Sequence, residues 1–106
     1  MNKAEEKVNK AKQEVATAEE KVATAEEKVV TAEEKVSVLI IKRNGLEKDN
    51  SEGKKEIEEN IVIAKESWRM AREGLNTALQ GLKIAQSALD AYQNVLNNFL
   101  TGKFSI

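Results

Sequence analysis

With 106 residues, no proline, cysteine or histidine, 33% charged and 41% hydrophobic side chains and a formal net charge of −1, the chain has room for one unit with a single core. Without cysteine and histidine it has no disulfides, thiolate nucleophiles, Ser-His pairs or carboxylate-histidine metal centres, so neither an enzyme nor a cofactor or metal is expected. The near-neutral charge and the lack of an apolar run of about 20 residues argue against nucleic acid and membrane as partners. The opening Met-Asn-Lys-Ala-Glu-Glu does not read as a signal peptide, and the compartment is left open.

The first predicted helix covers about 2–44. Residues 17–37 read Thr-Ala-Glu-Glu-Lys-Val-Ala, Thr-Ala-Glu-Glu-Lys-Val-Val and Thr-Ala-Glu-Glu-Lys-Val-Ser, three near-identical heptads that define a coiled-coil seam. Extended in both directions, the repeat puts Val8, Val15, Val22, Val29 and Val36 at position a, and Ala4, Ala11, Ala18, Ala25, Ala32 and Leu39 at d. This apolar stripe is narrow.

A turn is predicted at about 45–52, where Asn44-Gly45 signals a helix stop and Asp49, Asn50, Ser51 and Gly53 cluster. Asp49 with Glu52 forms a possible capping box for the next helix, and Ser51 is the competing cap. The second helix, about 53–101, carries Ile61, Trp68, Leu75, Leu82, Leu89 and Leu96 at a. Its d positions hold Ile57, Ala64, Ala71, Ala78, Ala85, Tyr92 and Phe99. Gly102 is expected to end it, leaving a short tail over 102–106. Within that tail, Phe104-Ser105-Ile106 suits either a plain end or strand addition to a peptide-binding domain.

A short connection favours antiparallel neighbours, in which an a residue of one helix faces a d residue of the other. When the residue numbers of each facing pair add to 100, large meets small in layer after layer: Val36 with Ala64, Ala32 with Trp68, Ala25 with Leu75, Val22 with Ala78, Ala11 with Leu89. The predicted fold is therefore all-α, a long antiparallel two-helix coiled-coil hairpin with an Ala-rich seam. The same register sets Glu33 against Lys65 and Glu26 against Arg72. A parallel homodimer of the first helix is the competing geometry, pairing Lys21 with Glu26 and Lys28 with Glu33. Leu79, Ile84, Val95 and Leu100 lie outside the seam, and joining two hairpins into a four-helix bundle would bury them.

Other features have two readings each. Gly74 and Gly81, inside the second helix, suit either close approach of a third helix or coverage by the stems of Lys28 and Lys21. Glu52, Glu56 and Glu59 share a face that reads as solvated rather than cation-binding, because Lys54 and Lys55 intervene. Lys65, Arg69 and Arg72 form a basic stripe interrupted by Glu66 and Glu73, with no aromatic stacking partners for nucleic acid. Trp68 is mid-helix and followed by Arg69-Met70, so the Trp-x-Gly turn of secreted helical hairpins is missing.

The candidate partner-binding residues are Val38, Ile40, Ile41, Val62, Ile63 and Met70. They are apolar beyond what the seam needs and stand at the turn-proximal height of both helices, with Lys42, Arg43 and Lys65 as a charged rim. The alternative is that the linker folds over them through Leu46. The expected function is a non-catalytic structural or interaction protein binding a protein partner or a second copy, with a dimer expected. The runner-up is a small helical inhibitor or adaptor that fills a partner's groove. A third possibility, a lipid-surface helix from Leu75 to Leu100, has few Lys or Arg on its polar face to support it.

Overall fold

The computed structural model describes residues 3–102, so Phe104-Ser105-Ile106 lies outside the described residues. Two α-helices, α1 (Lys3–Asn44) and α2 (Ser51–Leu100), form an all-α hairpin with no strand among the described residues. Good helix formers (Ala, Glu and Lys) and the absence of proline account for helices of 42 and 50 residues. In α1 the charges also follow the helix dipole, with Glu5 and Glu6 in the first turn and Lys42 and Arg43 in the last.

At the end of α1 the Gly45 N–H donates to the Ile41 carbonyl at 3.1 Å and the Leu46 N–H to the Arg43 carbonyl at 3.2 Å. After a short turn, α2 starts two residues ahead of the expected boundary. Its cap is Asn50, neither Asp49 nor Ser51. The Asn50 side-chain oxygen accepts the Gly53 N–H at 3.0 Å, and its carbonyl accepts the Lys54 N–H at 3.1 Å. Glycine suits position 53 because a Cβ there would stand 2.8 Å from the cap amide. Asn50→Ala should lower stability by about 1 kcal/mol, read as a lower urea midpoint with an unchanged slope. At the far end of α2, Gly102 has a φ of +74°, the left-handed conformation that ends helices, as its position predicts.

The described residues group into two compact units, one of residues 24–76 and one of residues 3–23 with 77–102. In the first, Val36, Ile61 and Ala64 are buried, and Val29, Ala32, Leu39, Trp68, Ala71 and Leu75 are half-buried. In the second, Val8, Ala11, Val15 and Val22 are buried, and Leu82, Leu89 and Leu96 are half-buried. These are the a and d residues of both repeats. The a/d seam has two exceptions, Tyr92 and Phe99, which are exposed. Tyr92 lies against Lys7, whose ammonium is 6.0 Å from the ring centroid, one residue from the Val8–Tyr92 layer of the register. The register sets Phe99 opposite the start of the chain, outside the described residues.

No side chain among the described residues is completely buried. Two helices alone leave both flanks of the seam open, so a large a residue covers its small partner and keeps one edge in water.

Candidate protein-contact surface

All six candidate residues belong to the unit of residues 24–76. Ile41, Val62 and Ile63 are 69%, 67% and 65% exposed, and Val38 and Met70 are also exposed. Ile40 is half-buried, because position e lies beside the seam. Val38 and Ile41 share a shallow groove on α1 with Val30, Glu33, Glu34 and Ser37. Met70 lines a different groove, where α1 and α2 run side by side, together with Thr24, Lys28, Thr31, Lys35 and Ser67. The apolar residues thus fall on more than one face of the hairpin.

Val30 was not among the candidates, although it is exposed and lines the Ile41 groove. The signal for it was in the repeat: the seam valine is followed by Ala23 in one heptad and Ser37 in another, but by a second valine, Val30, in the middle one. Leu46 does not cover the surface. It is half-buried and borders a groove with Arg43, Asn44, Lys54 and Glu58, while Ile41 stays open.

The charged residues differ from expectation. The ion pairs Glu33–Lys65 and Glu26–Arg72 are not formed among the described residues; Arg69 instead pairs with both Glu66 and Glu73 along α2. These are spacings of three and four residues within one helix, where side chains meet without help from a second helix. Hydrogen bonding to Arg69 holds the Glu66 carboxyl below its ordinary range, with the guanidinium charge adding to the effect, and it raises Arg69 in turn. A carboxyl lowered in the folded state contributes stability above its unfolded pKa and loses it as the pH falls through the folded one; at this exposed site the contribution is small. Arg72 turns to Trp68, its guanidinium carbon 5.4 Å from the ring centroid. The Trp68 indole N–H has no hydrogen-bond partner among the described residues. Of the expected basic stripe, Arg69 is paired with acidic neighbours on its own helix and Arg72 lies against an aromatic ring.

No group of three or more Asp or Glu side chains converges to hold a metal ion among the described residues, Glu52, Glu56 and Glu59 included. No described helix is long and apolar enough to cross a membrane.

By fold the chain belongs with antiparallel two-helix coiled-coil hairpins, distinguished by an Ala-rich seam and apolar side chains left outside it. No protein-family model, curated protein or solved structure matches it.

Proposed function

We propose that this hairpin is a non-catalytic protein-contact module, which self-associates or presents a binding surface near its turn. The observation carrying this reading is the exposure of Ile41, Val62 and Ile63 on a chain that is one-third charged. Scattered exposed apolar side chains are ordinary, but large β-branched residues concentrated at one height on both helices mark a contact surface. The surplus on α2 points the same way, because Leu79, Ile84, Val95 and Leu100 are also exposed.

The test is the double change Ile41→Lys with Ile63→Lys. Neither side chain belongs to the seam, so the helical dichroism should stay at the wild-type level while association, followed by molar mass across a concentration series, is lost. Retained association with intact helicity places the contact surface elsewhere.

A further inference from the structure

On one flank of the seam, positions c and g of α2 over residues 63–74 hold Ile63, Ser67, Met70 and Gly74, with no charge among them. The same flank of α1 holds Lys28, Thr31, Lys35 and Val38. Much of this flank forms a single groove floored by Ala32, Ala71 and Met70, with Lys28 and Lys35 along its α1 edge.

Gly74 is the odd residue here. Glycine inside a helix costs about 1 kcal/mol relative to alanine, yet a Cβ added at Gly74 would meet nothing within 4 Å. Coverage by the Lys28 stem is thus not what the hairpin provides, and nothing within the chain requires the missing side chain.

Charged rows run along the face. Lys28, Lys35 and Lys42 recur at heptad spacing beside the seam on α1, with Glu27 and Glu34 outside them, and Glu59, Glu66 and Glu73 recur along the outer edge of α2. In the hairpin register Lys28 stands within one residue of the height of Glu73, Lys35 of Glu66 and Lys42 of Glu59. Arg69 pairs with both Glu66 and Glu73 along this edge.

We propose that this face binds a second copy of the chain about a two-fold axis parallel to the helices, so that α1 of each copy lies over α2 of the other. This rests on the self-association proposed above and names its partner and geometry. In that arrangement the Lys28 stem fills the space over the partner's Gly74 and its ammonium reaches the partner's Glu73. Lys35 crosses the partner's Ser67 to Glu66, and Val38 covers the partner's Ile63. Every neighbouring pair of helices is antiparallel, as in the commonest four-helix bundles. A two-fold axis across the helices would instead lay lysine row on lysine row, an arrangement that like charge disfavours.

The experiment is sedimentation equilibrium on the full chain carrying Lys28→Glu or Glu73→Lys, alone and mixed. Because the two-fold axis repeats the altered pair, each variant alone should dimerise at least about tenfold more weakly than wild type. In the equimolar mixture each opposite-charge pair is restored across the interface, and the affinity should return to within about threefold of wild type. Gly74→Gln, which raises helix propensity and so keeps the hairpin folded, should also weaken the dimer about tenfold by occupying the space meant for Lys28. Single variants that dimerise like wild type, or a mixture that stays as weak as its components, would overturn this face while leaving self-association standing. A wild-type chain that is monomeric at high micromolar concentration would overturn self-association, and this face with it.

Discussion

Replacing Ile61 by alanine is expected to lower the stability of the hairpin by about 3 kcal/mol, within the roughly 2–5 kcal/mol typical of truncating a buried isoleucine. Ile61 is 4% exposed and closes the seam beside the turn, facing Leu39 in the register. Ile63, two residues further on, is 65% exposed, so Ile63→Ala in the isolated hairpin should change stability by less than about 0.5 kcal/mol. The contrast is read by urea unfolding at a concentration low enough to keep association out of the equilibrium, since a partner that binds only the folded form adds apparent stability. Equal losses at the two positions would show that the seam is not where the a/d pattern puts it.

The register itself predicts a second large effect. Val36 and Ala64 are both buried and are assigned to one layer. Val36→Ala opens a gap and Ala64→Val crowds it, each at a cost of roughly 1–3 kcal/mol. Exchanging the two residues restores the volume of the layer and returns the same number of valines and alanines to the helices. The double variant should therefore be more stable than the sum of the single losses by at least about 1 kcal/mol, the coupling expected of residues in contact. Additive losses would mean that the two side chains do not meet, and the helices would have to be paired one or more turns out of step.

The seam was legible in the sequence because it depends on spacing alone. The Thr-Ala-Glu-Glu-Lys-Val repeat forces a period of seven, and alternation of large and small residues across two such stripes leaves few ways to align them. The start of α2 was less legible because Asp49, Asn50 and Ser51 are all competent caps, and which of them takes the role depends on how the turn enters the helix. The inter-helix ion pairs were misplaced for a related reason. Lysine and arginine side chains are long enough to choose among several neighbours, and Arg72 turns to the Trp68 ring on its own helix. At the candidate surface, the heptad pattern separated apolar residues outside the seam from those in it but passed over Val30. It did not show that Met70 and Ile41 line separate grooves, because that depends on where each position points around its helix.

The brevity of the Asn50-capped turn bears on how the hairpin comes together. Leu39 and Ile61 are separated by a short stretch of chain, whereas Val8 and Tyr92 are separated by most of it, so the entropy lost in closing each contact grows steadily away from the turn. Closure is therefore expected to start at the layers beside the turn, each new layer extending one already made instead of searching the whole chain. Amide hydrogens beside the turn would exchange last and those of the first heptads soonest.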